Sequence, residues 1–180
     1  TQAHNYIKYR VSKKNKEIVN YQPIRLGIFT KYECNLNCQM CLTHSPLIPD
    51  NPYKYTGARE MDFEMFKDII KRFRTALGCC FIGNGEPLLC RDLFKMIEYA
   101  HINKMYTQVF TNGFELNRFI DKIIGSPLNS INVSINSNEP QDYKRITGLD
   151  VGVFERIIKN TKDLIDARNK HNSKLGISAT

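Results

Sequence analysis

No apolar run in this 180-residue chain approaches the ~18 residues that a membrane-crossing helix needs. The first residues also lack the basic and apolar regions of a secretory signal, so the expected location is cytoplasmic, without membrane attachment. Internal repeats, low-complexity tracts and linker-like stretches are missing, which leaves one domain as the economical organisation. Tryptophan is absent as well, yet with 42% hydrophobic and 24% charged residues the composition is that of a soluble globular domain. The chain is long enough for a real core but short of the ~250 residues of an eight-fold barrel. It opens on Thr1 and stops on Thr180 inside an apparent strand, as expected for a piece of a longer protein.

A fourth cysteine is missing where an ordinary ferredoxin run would place one. What is present is Cys34-x3-Cys38-x2-Cys41, directly after a short apolar strand. Three thiolates at this spacing can hold three irons of a 4Fe-4S cluster and leave the fourth iron open to a substrate or cofactor. Zinc is the competing reading, since His44 stands three residues past Cys41 and would complete a Cys3His set. All four ligands would then crowd into eleven residues, whereas structural zinc sites usually join two separated pairs.

The remaining cysteines, Cys79, Cys80 and Cys90, are dispersed in or near strand-like segments and read as small buried hydrophobes; the sharper alternative is a second cluster. Six cysteines in a chain with ample apolar residues fit a reducing compartment better than a disulfide scaffold. The net charge of +8 admits an RNA or anionic partner. Lys8, Arg10, Lys13, Lys14 and Lys16 fall close together, but most other basic residues are spread over polar helix faces.

Residues 1–23 form a polar extension with a candidate hairpin at about 6–21, and residues 24–180 alternate strand and helix patterns. Strands are expected at 24–30 (IRLGIFT), 79–83 (CCFIG), 106–111, 130–135 and from 175 onward. Helical apolar spacing joins Phe66, Ile69, Ile70, Phe73 and Leu77. It recurs through Leu93, Met96, Ile97 and Ala100 behind a candidate cap at Asp92. Two further helices are marked by Leu116, Phe119, Ile120 and Ile123, and by Phe154, Ile157, Ile158, Thr161, Leu164 and Ile165. This alternation predicts an α/β fold with a parallel sheet and helical crossovers.

In such a sheet the loops after the strands share one rim, where ligands bind. The cysteine loop follows strand one, Gly83-Asn84-Gly85-Glu86-Pro87 follows strand two, Thr111-Asn112-Gly113 follows strand three, and SINS at 134–137 closes strand four. Each has a plain reading as a turn or strand end. Together they offer glycines for close approach, a carboxylate for an ammonium group, and the polar side chains of Asn112, Ser134 and Asn136 for hydroxyls. That describes a pocket for an amino-acid and ribose ligand beside an open iron.

These motifs resemble the radical S-adenosylmethionine (radical SAM) enzymes over about residues 24–180. CNLNCQMC, with Cys34, Cys38 and Cys41, is similar to the family's CxxxCxxC cluster motif, and Asn84-Gly85-Glu86-Pro87 to its GGEP motif with Asn84 in place of the first glycine. The resemblance implies a partial (β/α)6 barrel of about five βα units with its C-terminal part missing. It implies that the open iron is chelated by the methionyl group of S-adenosylmethionine (SAM), with the Gly85 backbone and Glu86 at the methionyl amine. Thr111, Asn112, Ser134 and Asn136 would line the SAM pocket and ribose. Met40, where the family often has an aromatic residue, would pack on adenine, with a core methionine as the alternative. YKRITG at 143–148 adds to the likeness.

The resemblance further implies reductive cleavage of SAM to a 5′-deoxyadenosyl radical, with an electron donor such as flavodoxin or ferredoxin. The style of the motifs is similar to enzymes with auxiliary clusters in a further C-terminal domain, many of which modify peptides or proteins. RNA modification is the alternative that the charge suggests, and a non-catalytic iron-sulfur or zinc module is the alternative from another class. His44, Tyr53 and Tyr55 are near enough in sequence to the cluster motif to be substrate-side candidates.

Overall fold

The computed structural model describes residues 1–12, 18–52 and 60–180. Five strands, β1 (Arg25–Phe29), β2 (Gly78–Ile82), β3 (Tyr106–Thr111), β4 (Ser130–Val133) and β5 (Gly176–Ala179), form one parallel sheet in sequence order. Consecutive parallel neighbours need a crossover each, and crossovers of one hand place every helix on the same face. The sheet therefore curls as an open part-barrel.

The helices are α1 (Gln2–Val11), α2 (Phe63–Arg72), α3 (Leu93–Ile102), α4 (Ile120–Gly125), α5 (Pro140–Thr147) and α6 (Val151–Lys170). The core lies between α2 to α6 and the sheet. Ile28, Phe81, Val109, Ile131 and Ile177 are register partners in turn across all five strands. Phe66, Ile70, Met96, Ile97, Ile157 and Leu164 belong to the same buried cluster. Burying one such side chain contributes about 1.5–3 kcal/mol.

Alternate strand residues face the concave side, and Gly27, Cys80, Ile82 and Phe110 line a cavity there. Cys79 and Cys80 thus part ways. Cys79 joins the core, where burial pushes its thiol up to about 12, whereas Cys80 faces the cavity 3.6 Å from the Gln108 amide oxygen. Cys90 is also buried in the core, so all three are the buried cysteines that the sequence predicts.

Four local expectations change. The candidate hairpin is instead α1 over its first part, with residues 13–17 outside the described set. Only Asn5 of this helix is buried; its amide bonds Gln22 and Thr75 carbonyls at 3.1 and 3.2 Å, and Gln2 reaches the Ala76 carbonyl at 2.8 Å. A helix held through amides has no apolar stripe, so periodicity does not reveal it. The third predicted helix is a 3-10 turn (Leu116–Arg118) followed by α4, and the YKRITG segment is a helix of its own, α5, ahead of α6. Asp92 stands at the start of α3, but its carboxylate pairs with Lys95 at 2.8 Å instead of capping.

Of the basic cluster, Lys8 and Arg10 lie on α1, and Lys13, Lys14 and Lys16 fall outside the described residues, as do Tyr53 and Tyr55. Among the described residues no helix is long and apolar enough to cross a membrane.

Candidate active site

The cysteine loop has little regular structure and is stitched by side chains. Ser45 donates its hydroxyl to the Gln39 carbonyl at 2.7 Å, and the Asn51 amide bonds the Leu42 and Thr43 carbonyls at 2.6 and 3.2 Å. Gln39, between the second and third cysteines, fastens the loop to a distant helix end. Its main-chain N–H donates to the Thr147 carbonyl at 2.7 Å and its amide to those of Arg145 and Ile146 at 2.6 and 3.3 Å. These are carbonyls that the last turn of α5 leaves unpaired. Gly148 follows in the left-handed region (φ 73°), where an added Cβ would come within 3.0 Å of the Gln39 side chain. Through that contact the end of the YKRITG segment packs against the cysteine loop.

Gln39→Ala removes the two side-chain bonds and leaves the main-chain one. At about 0.5–1.5 kcal/mol each, the expected loss is about 1–2 kcal/mol. Faster hydrogen exchange over residues 38–45 should accompany it, and unchanged exchange there would refute the clamp.

The turn after β2 packs directly on the approach to Cys34. Glu86 N–H donates to the Glu33 carbonyl at 2.9 Å. A Cβ on Gly85 would lie 2.2 Å from the Glu33 carbonyl oxygen and 2.6 Å from that of Lys31, so only glycine fits.

Glu86 itself is 2% exposed. One carboxylate oxygen accepts from the Leu88 N–H at 3.0 Å and the Thr111 hydroxyl at 2.7 Å, the other from the Asn112 N–H at 2.8 Å. Burial pushes its pKa up, against the pull of these three donors. The carboxylate therefore ties the β2 turn to the β3 turn. Thr111 is likewise spent internally, its oxygen also accepting from the Gly113 N–H at 3.1 Å.

Asn112 directs its amide to Asn35 Oδ1 at 2.8 Å and to the Cys34 sulfur at 3.6 Å. After β4, Asn136 takes a positive φ of 64°, which asparagine tolerates well, and the N–H groups of Ile135 and Asn136 donate to the Thr180 carbonyl at 2.7 and 2.8 Å.

All of these turns open on one cavity of about 810 Å³. The residues nominated as cluster ligands and SAM contacts line it: Cys34, Cys38, Cys41, Met40, Asn84, Gly85, Glu86, Thr111, Asn112, Ser134 and Asn136. Met40 is 48% exposed, which removes the core-methionine alternative. Sequence reasoning missed Gln39, Asn35 and Tyr143. Tyr143 also lines the cavity, and its phenol is pushed up to about 12 by burial and then by nearby Cys38. Tyr143 opens the YKRITG motif but was not named as a cavity residue, and nothing local marks Gln39, whose partners lie over a hundred positions away.

The three thiols are half-buried, and Cys38 is pushed up to about 11 by burial and then by its two cysteine neighbours. Hydrogen-bond donors already face sulfur: the His44 N–H reaches Cys41 at 3.3 Å and the Asn112 amide reaches Cys34. Three thiols with N–H groups directed at sulfur, beside an open cavity, fit an iron-sulfur cluster. Zinc fits less well. Among the described residues no three His, Cys, Asp or Glu side chains converge on one ion, and the His44 ring bonds the Tyr32 carbonyl at 3.0 Å.

The sequence model of the Radical SAM superfamily matches residues 28–178. The chain belongs to the radical SAM superfamily. Its members are enzymes that use a 4Fe-4S cluster and S-adenosylmethionine. Among curated relatives, the probable GTP 3',8-cyclase of Methanocaldococcus jannaschii is 32% identical over 79% of this chain and 45% of its own length. That of Pyrobaculum aerophilum is 28% identical over 74% of this chain and 41% of its own. The radical SAM chain thus spans less than half the length of these relatives.

Solved structures share the fold. SuiB of Streptococcus suis bound to S-adenosylmethionine has a TM-score of 0.64 at 18% identity, covering 88% of this chain and 34% of that one. BtrN in complex with AdoMet and 2-DOIA has 0.56 at 17%, covering 87% and 56%.

Proposed function

We propose that this chain is the SAM-cleaving part of a radical SAM enzyme, with Cys34, Cys38 and Cys41 holding three irons of the 4Fe-4S cluster. The observation that carries the reading is that residues from four separate turns, nominated from the sequence, line a single cavity whose volume is typical of a cofactor site. Held by these three thiolates and reduced by a donor such as flavodoxin or ferredoxin, the cluster would supply the electron for reductive cleavage of SAM.

The chain's own residues position the reactants. The Gly85 backbone and the exposed Asn84 face the methionyl end. Ser134 and Asn136 offer hydrogen bonds to the ribose, and Met40 covers adenine. Glu86 and Thr111 act from behind: their polar atoms are occupied inside the protein, and they fix the backbone that the ligand meets. We infer domain limits of 24–180 for the core after an extension over 1–23; the family match over residues 28–178 supports the core part of this reading.

For the substrate we infer a small molecule, and GTP is the first to try, since the relatives bear the name GTP 3',8-cyclase and the net charge of +8 suits an anion. The peptide or protein substrate suggested by the motif style has support only from neighbours such as peptide-bound anSMEcpe, 20% identical and therefore alike in fold.

The test is anaerobic reconstitution of the protein with iron and sulfide, reduction, and paramagnetic resonance with and without SAM. A 4Fe-4S signal that SAM shifts, and 5′-deoxyadenosine formed on turnover, are expected. Cys38→Ser should remove both while leaving the circular dichroism of the fold unchanged; cleavage that survives this substitution would refute the assignment. GTP consumption, set against a peptide panel, then decides the substrate.

A further inference from the structure

We propose that Asn112 tunes the reduction potential of the cluster by donating its side-chain N–H to the Cys34 sulfur. The inference rests on the reading of Cys34, Cys38 and Cys41 as cluster ligands.

One main-chain contact and three side-chain contacts fix Asn112 in place. Its main-chain N–H donates to Glu86 at 2.8 Å, its Oδ1 accepts from the Phe114 N–H at 3.0 Å, and its Nδ2 is shared between Asn35 Oδ1 at 2.8 Å and Cys34 Sγ at 3.6 Å. With the oxygen turned to Phe114, only the N–H edge can face sulfur. Among the described residues the other donors at these sulfurs are main-chain groups, from Leu36 to Cys34, from Cys38 to its own sulfur and from His44 to Cys41 at 3.3 Å. Those are set by the loop itself. Asn112 comes from the turn after β3 and is a donor whose chemistry a substitution can change.

The sign follows from charge. One-electron reduction adds negative charge to the cluster and its sulfurs, so an N–H at sulfur stabilises the reduced form more than the oxidised one and raises the potential. No bond is made or broken, and the electron comes from the external donor. Asn112 is thus a positioning residue that makes reduction easier.

The test is a redox titration of the reconstituted protein with dithionite, followed by the paramagnetic signal of the reduced cluster. Asn112→Asp keeps an oxygen for the Phe114 N–H but removes the donor and places a carboxylate beside sulfur. A roughly tenfold less favourable reduction equilibrium is expected, about 59 mV for a one-electron couple. Asn112→Ala should shift in the same direction by less, and it decides the matter if the Asp variant fails to take up iron. Equal potentials in wild type and either iron-loaded variant, or a rise, would overturn the inference. A wild-type protein that takes up no cluster overturns the reading of the cysteines and this inference with it, whereas a wild-type cluster with unshifted variants overturns the inference alone.

Discussion

Alanine at position 85 is expected to unseat the cysteine loop. The added Cβ would fall 2.2 Å from the Glu33 carbonyl oxygen and 2.6 Å from both the Lys31 oxygen and the Tyr32 carbonyl carbon. All three are backbone atoms, so no rotamer change relieves the clash. Either the turn after β2 lifts away, breaking the 2.9 Å bond from Glu86 N–H to Glu33, or residues 31–33 shift and carry Cys34 with them. Overpacking of this kind costs about 3 kcal/mol at the upper end of its usual range, or a Tm lower by about 6–12 °C for a chain of this size. Iron and sulfide content after reconstitution should fall together with Tm. A Gly85→Ala protein with full cluster occupancy and unchanged Tm would show that the two segments are not in contact.

Glu86→Ala is expected to be as damaging, for a different reason. It leaves the Leu88 and Asn112 N–H groups and the Thr111 hydroxyl without their acceptor, in a place where the side chain is 2% exposed. Orphaned buried donors cost about 1–3 kcal/mol each, partly offset because a desolvated carboxylate is also removed, so a net loss of about 3–5 kcal/mol is expected. Glu86→Gln separates shape from charge. Whichever way its amide is turned, an NH2 group meets the N–H of either Leu88 or Asn112, so it should lie between wild type and Glu86→Ala in denaturant stability. If Glu86 served only as a direct ligand for the methionyl amine, both variants would keep wild-type stability and lose SAM affinity alone. Denaturation curves beside SAM titrations distinguish the two.

The turns were legible in the sequence because each carries its own chemistry. Cysteine spacing, the glycines around Asn84 and the Asn-Gly after β3 are local signals, and the βα alternation places the ends of all the strands on one rim. Burial was legible for Cys79, Cys80 and Cys90 because free cysteines in strand-like runs are usually buried. Two kinds of feature escaped. Helix α1 carries its exposed side Tyr6, Ile7 and Tyr9 outward and anchors through Asn5, the reverse of the amphipathic pattern on which helix reading depends. The clamp by Gln39 pairs residues 106 positions apart, and a polar side chain gives no hint of which distant carbonyl it will meet.

The sequence by itself determined the fold class, the family likeness and the motifs at the four turns, since these depend on residue type and spacing along the chain. Only the tertiary structure decided what each polar group faces. Glu86, Thr111 and Asn112 were nominated as ligand contacts, and the fold spends their polar atoms on one another and on Cys34, while Asn84, Ser134 and Asn136 stay open to the cavity. A buried polar atom must find a partner, and which one is nearest follows from how the β1, β2 and β3 turns pack together in three dimensions.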